Sequence, residues 1–332
     1  MQKITRRIEV AMRAILPQGI EADFTPLDRV TVKMILPSQE IDIKWAGEGW
    51  LGQIRPILKE PTLPDVVVAR RMSPGAREAL TDASIGWVDE LGAAEIAIGS
   101  IIVSRSGRPA PKSEKPKRWT PAVLAVAEAL LCGHKPTVSE VYDATGLSWG
   151  SCTNALRVLE DLNLISSTAA RGRRSARQIV DAKAFLETYA SACTALTTNN
   201  KLVVGLSLRD PVEGLVKIGR KWTELHVKWA ASGAVAATVL APILTNVSSA
   251  EVYVDGRTIT ELELIARQVN LLPIEGGRLT LKAFPTPAMG RLSTHQDGLM
   301  IAPWPRVYAD LRKIGVRGEE AAEHLRELMR AR

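Results

Sequence analysis

Three cysteines in 332 residues, Cys132, Cys152 and Cys193, are too few and too scattered for a disulfide framework, and none shows CxxC spacing. Each is expected to be a small buried apolar residue. The four histidines, His134, His226, His295 and His324, are dispersed without metal-ligand spacing, so neither a metal nor a cofactor is expected. Aromatic residues make up only 5% of the chain, although eight of them are Trp. The longest apolar run, residues 229–244, falls short of the ~18 residues of a membrane span and contains Pro242. The opening residues, Met1-Gln2-Lys3-Ile4-Thr5-Arg6-Arg7, lead into no apolar signal-peptide core. A disulfide scaffold and a membrane partner are therefore not expected, and a reducing cytoplasm is the expected compartment.

What is present is an ordinary globular balance, 46% hydrophobic and 24% charged, in a chain long enough for two or three domains. The net charge of +7 permits a nucleic-acid partner, and its placement says more than its size. Arg105, Arg108, Lys112, Lys115, Lys117 and Arg118 stand against one acid, Glu114. Arg171, Arg173, Arg174 and Arg177 form a second cluster with no acid among them. The two clusters flank one short stretch of chain.

The Pro-, Ser- and Lys-rich composition of 105–118 marks a solvated linker. It divides an N-terminal α/β domain, 1–104, from a DNA-binding domain, 119–193, and a C-terminal α/β domain, 201–332, for dimerisation, effector or partner binding. In the first, 6–16 has helical spacing, 30–36 and 41–45 read as paired strands, and 66–69 as a buried strand. Ser73-Pro74 opens a helix to about Ala83, and 95–103 supplies one or two more strands. In the last, an apolar helix is expected at 224–240, strands at 251–255, 278–284 and 298–302, and helices at 260–269, 305–314 and 319–330.

The middle segment, about Trp119 to Val180, carries the clearest pattern. Thr120-Pro121 is a cap and helix-opening proline, and Thr137 with Glu140 makes a capping box. Gly146-Leu147-Ser148 is a tight turn into a third helix, 148–162, with Cys152, Leu156 and Leu159 inward. Strands at 164–166 and 178–180 enclose a basic loop. Three helices and a two-stranded wing in this order define a winged helix-turn-helix, whose third helix enters the major groove by its N-terminal end. Ser148, Trp149, Ser151, Thr153, Asn154 and Arg157 are then the reading face, with Asn154 suited to adenine and Arg157 to guanine or phosphate. Arg171, Arg173, Arg174 and Arg177 on the wing, with Lys117 and Arg118 before the first helix, supply phosphate and minor-groove contacts.

The segment 148–165 (SWGSCTNALRVLEDLNLI) resembles the recognition helix and first wing strand of MarR-like regulators. The tripartite layout, with the tail segment 302–311 and the helix containing 319–328, resembles the AbiEi-like family, the antitoxins and regulators of type IV toxin–antitoxin systems. The run 72–80, continuing to 86–89, resembles a restriction-endonuclease-like domain that precedes winged helices in some regulators. The resemblances imply an α/β multidomain regulator of double-stranded DNA, acting as a homodimer, with a small-molecule effector or partner protein engaging the C-terminal domain. They also raise two alternatives. One is an antitoxin that binds a partner protein. The other is a metal-dependent endonuclease using Asp28 before one strand and Asp42-Ile43-Lys44 on the next, where a carboxylate and an (Asp/Glu)-x-Lys pair would activate water. Asp-x-Lys is common on any strand with a solvent face, Asp28 can equally cap a turn, and no catalytic step is expected. Gly276-Gly277 reads as a turn, and Trp222 and Trp229, at helix-compatible spacing, as core residues.

Overall fold

The computed structural model describes residues 2–17, 20, 22–37, 39–98, 101–106, 119–167, 177–196, 200–206, 210–242, 247–286 and 288–331. They form a mixed α/β structure of two compact units, Met1–Ser113 with Arg312–Glu320, and Glu114–Leu311 with Ala321–Arg332.

The first unit is built on one seven-stranded sheet whose spatial order follows the chain, β1 to β7. Helix α1 (Gln2–Ile15) precedes an antiparallel meander, β1 (Asp23–Pro26), β2 (Thr31–Leu36) and β3 (Gln39–Trp45). Helix α2 (Leu51–Ile57) leads to β4 (Val66–Ala69), and α3 (Pro74–Asp82) to β5 (Gly86–Asp89). Both strands run parallel to their predecessors, and β6 (Ala93–Ile98) and β7 (Ile101–Ser106) return antiparallel. Alternation dictates which face each side chain takes. Val32, Met34, Ile41 and Ile43 turn into a core with Ile8, Met12 and Ile15 of α1, while β4 is buried on both faces. Ser73 accepts a hydrogen bond from the Ala76 amide with Pro74 at the first turn, as its sequence signature requires. Arg105 and Ser106, expected to open the linker, belong instead to β7; the rest of the expected linker lies outside the described residues.

Four residues of the second segment complete this unit. Glu319, 3% exposed, accepts hydrogen bonds from the Ser73 hydroxyl (2.6 Å) and from the amides of Leu51 (2.8 Å) and Gly75 (3.2 Å). It thus closes donors at the starts of α2 and α3, which those helices cannot satisfy themselves. Arg312 stacks on Trp50 at 3.8 Å, Glu320 pairs with Arg55, and Glu78 accepts from the Val316 amide. Burial lifts the Glu319 carboxyl above its ordinary value, against the pull of its hydrogen bonds.

The second unit opens with α4 (Pro121–Leu131), α5 (Val138–Thr145) and α6 (Trp149–Asp161), followed by the antiparallel pair β8 (Ile165–Ser167) and β9 (Arg177–Ile179) and by α7 (Ala182–Ala195). Next come β10 (Lys201–Val204), α8 (Pro211–Glu224), β11 (Trp229–Ser232), α9 (Gly233–Leu240), β12 (Ala250–Val254), α10 (Ile259–Gln268) and β13 (Leu279–Ala283). The chain then forms α11 (Met289–Leu292), β14 (Thr294–Gln296), β15 (Leu299–Ile301), α12 (Trp304–Leu311) and α13 (Val316–Arg330). The six strands from β10 to β15 make a mixed sheet in the order β10-β13-β12-β11-β15-β14.

One expectation fails here. The apolar stretch taken as a helix at 224–240 is α8's last residue, a turn, the central strand β11 and then α9. A four-residue strand buried on both faces has no period-two signature, so it looks like part of a buried helix. Gly233, at φ +57°, makes the change of direction. Trp222 and Trp229 therefore sit on different elements, with ring centroids 6.1 Å apart.

The segments 119–193 and 201–332, expected as separate domains, share one core within this unit. Its centre is polar. Glu128 of α4, fully buried, accepts from Arg306 of α12 at 2.6 and 3.0 Å and from the Tyr189 hydroxyl of α7. Burial disfavours charge on Arg306, yet Cys193, Tyr189 and Glu128 around it hold the guanidinium charged well above its ordinary range. Asp310, four residues on, accepts from Ser232 and Tyr253, each at 2.7 Å. The Trp304 indole closes the Leu131 carbonyl at the end of α4 (3.1 Å).

Candidate nucleic-acid interface

Helix α6 is positioned by chemistry local to its start. Gly146, at φ +67°, ends α5 in a left-handed turn and donates to the Tyr142 carbonyl. Ser148 then caps α6, accepting from the Ser151 amide at 3.2 Å, a contribution of about 1 kcal/mol. Cys152, Ala155, Leu156 and Leu159 are buried along one side, where α6 packs against α4 and α5. Their spacing fixes the helix's rotation, which turns Thr153, Asn154 and Arg157 to solvent.

The exposed side divides into engaged and open groups. Arg157 donates to the Asn154 carbonyl oxygen at 2.6 Å, so the two present one connected polar surface. Trp149, 56% exposed, leans on Tyr142 with centroids 5.8 Å apart. Thr153 turns its hydroxyl back to the Trp149 carbonyl, and Ser151, only half-exposed, receives the Ser148 hydroxyl at 2.9 Å. Both are less available than their positions suggest. No acidic residue lies between Trp149 and Arg157; Glu160 and Asp161 come only at the helix's far end.

Glu160 has a partner the sequence did not suggest. Arg177 on β9 lies 3.5 Å from it, so this arginine is an internal brace between helix and hairpin rather than a free cation. The other wing residues, Arg171, Arg173 and Arg174, and the pre-helical Lys117 and Arg118 lie outside the described residues.

The second candidate group is arranged differently. Asp28 caps the turn into β2, its carboxylate accepting from the Val30 and Thr31 amides at 2.7 Å, which lowers its pKa. Asp42 and Lys44 share a face of β3, opposite the buried Ile41 and Ile43. Lys44 is held by both oxygens of Glu60 at 2.5 and 2.6 Å, a partner spacing could not reveal. One oxygen of Asp42, Oδ1, is buried without a hydrogen bond. Among the described residues no three His, Cys, Asp or Glu side chains converge as metal ligands.

Cys152 and Cys193 are buried, and burial pushes the Cys193 thiol up to about 11 and that of Cys132 to about 12. Such thiols stay protonated and unreactive near neutrality. Among the described residues no helix is long and apolar enough to cross a membrane. Compared with known protein families, curated proteins and solved structures, the chain matches none of them.

Proposed function

We propose that the chain is a sequence-specific regulator of double-stranded DNA that acts through a winged helix-turn-helix made of α4, α5, α6 and the β8–β9 hairpin. The observation that carries this reading is the face of α6. A capped helix, fixed in rotation by four buried residues, offers Asn154, Arg157 and Trp149 outward with no acid among them. In a major groove Asn154 would pair with an adenine edge and Arg157 with guanine or phosphate. Arg171, Arg173 and Arg174, between the two hairpin strands in sequence, and Lys117 and Arg118 before α4 would add phosphate contacts. The resemblance of 148–165 to MarR-like recognition helices points the same way.

The regulator would work in the cytoplasm as a homodimer, with two recognition helices meeting a palindromic operator. Exposed Leu264, Leu272 and Ile274 give the second unit apolar surface for self-association or for a protein partner. Selection of binding sites from random duplexes, followed by anisotropy titration, tests the proposal. A recurrent motif bound at least a thousandfold more tightly than random duplex is expected. Equal affinity for all sequences would overturn it.

One observation favours a second reading, a metal-dependent endonuclease in the first unit. The partnerless Asp42 oxygen beside Lys44 is the sort of atom a cation satisfies. Against it stand Asp28, committed to its turn, and Lys44, neutralised by Glu60. We expect no cleavage of duplex with magnesium or manganese; nicking that vanishes in Asp42→Ala would replace the first reading.

A further inference from the structure

A cavity of about 670 Å³, open to solvent, lies within the second unit, where α4 and α5 meet the segment from α11 to α12. Its volume is in the range of small-molecule sites. The wall is mixed: Leu240, Trp304 and Met329 are apolar, while Asp143 and Arg291 bring opposite charges. Among the described residues, neither charge has an ion-pair partner within 4.0 Å. The Arg291 guanidinium donates instead to the Asp143 backbone carbonyl at 3.3 Å. His134, also on the wall, faces Glu140 at 3.4 Å.

We infer that this cavity is a binding site for a small zwitterion with an apolar body, of the amino-acid type. The carboxylate would meet Arg291, the ammonium Asp143, and the side chain would lie on Leu240, Trp304 and Met329. A ligand of single charge would leave one wall charge without its counterpart. An uncharged one would leave both.

Arg291 also ties the cavity to α6. A Cβ on Gly146 would sit 2.8 Å from the Arg291 guanidinium carbon, so the side chain lies flat on the turn joining α5 to α6. Leu292 and Ala288 pack on Ala125 and Ala129 of α4, with Leu147 of that turn beside them. A ligand that draws Arg291 toward the cavity shifts a contact on the residues immediately before the Ser148 cap. Occupancy is thereby coupled to the pose of α6, a consequence that rests on the DNA-binding reading.

The test uses four probes of one shape on the full chain, by calorimetry: L-phenylalanine, 3-phenylpropanoate, 2-phenylethylammonium and 3-phenylpropanol. L-Phenylalanine is expected to bind tightest, with about a tenfold loss for each charge removed, or ~1.4 kcal/mol. Asp143→Asn, an exposed and near-isosteric change, should weaken L-phenylalanine tenfold and leave 3-phenylpropanoate unchanged. Arg291→Lys should keep the carboxylate preference. Equal affinities for the four probes, or no heat from any at 10 mM (on the order of the weakest affinity worth assigning), would overturn the site. A second arm measures DNA affinity with and without saturating L-phenylalanine, where a change of about fivefold or more is expected. Ligand binding in a chain that binds no DNA would sink the regulator reading and leave the site standing. DNA binding with no response to a bound ligand would overturn the coupling alone.

Discussion

The first unit's sheet and the α6 face of the second unit hold their cations differently. In the first, Arg7 pairs with Glu90, Lys33 with Glu40, Lys44 with Glu60, Arg70 with Glu48 and Arg77 with Asp89. On α6, among the described residues, Arg157 has no carboxylate partner within 4.0 Å and leans on the neutral side-chain amide of Asn154. A cation already matched by a carboxylate gains little by meeting a phosphate, because it must first give up its partner. The contrast therefore sorts basic residues by availability, which counting them cannot do. Arg177 shows the value of that sorting, since it belongs to a basic cluster in sequence yet serves as a brace to Glu160 in the fold.

The broadest way to break the comparison is salt. If six to eight phosphates are neutralised, log K against log salt should slope at roughly −5 to −7. Between 50 and 200 mM salt that is a loss of several thousandfold, on the order of 4^6. A flat titration would show that the unpaired cations meet no backbone.

A buried pair should respond more severely than any exposed one. Glu128→Ala leaves Arg306 charged without its carboxylate, at a cost of about 3–5 kcal/mol to the second unit. Denaturant unfolding should show that loss in one transition only, with the first unit's transition unmoved. A double substitution of Glu128 and Arg306 by apolar residues should recover much of it.

The comparison is sharpened by paired experiments on the surface. Asn154→Ala and Arg157→Ala should each cost about 1–3 kcal/mol of binding and relax preference at one base position. Lys44→Ala and Arg7→Ala, which remove cations already paired, should leave affinity unchanged in the same titration. Equal losses from both sets would erase the distinction.

The smallest effect concerns Glu319. Its folded carboxyl binds a proton more readily than the ordinary value of 4.5 implies. A raised pKa contributes stability that is present below the unfolded value and lost as pH rises through the folded one. The first unit should therefore gain stability on acidification toward that range from this group, and Glu319→Gln should flatten the dependence. Melting followed from pH 7 down to 4.5 would measure it. A steeper pH profile in the variant would contradict the assignment.

Local chemistry was legible in the sequence, and distant partnerships were not. Thr120, Thr137 and Ser148 cap the helices their types announce, and Gly146 turns where its neighbours demand. The strands at 31–36 and 39–45 follow from their alternation. Helix α8 was missed although Asp210 and Pro211 mark its start, because its apolar positions are interrupted by Gly214 and Gly219. Both glycines are close-packed, Gly219 so tightly that a Cβ would meet the Trp229 ring at 2.2 Å. Such a need arises only once β11 is in place. The spacing of the buried positions on α6 makes the exposure of Thr153, Asn154 and Arg157 legible, whereas the pairing of Arg177 with Glu160 was not. Glu128 and Arg306 stand 178 positions apart, and no periodicity links them.

The lock that Glu319 makes on Leu51, Ser73 and Gly75 joins residues separated by 244 to 268 positions. A ribosome adding roughly 5–20 residues per second needs about 10–50 s to cross that gap. For all of that time the emerging first unit lacks the carboxylate that closes two of its helix starts. Water, or a chaperone, must serve those amides meanwhile. A fragment ending at Ser106 would be arrested in the same unfinished condition, and supplying residues 312–320 as a separate peptide should complete it in trans.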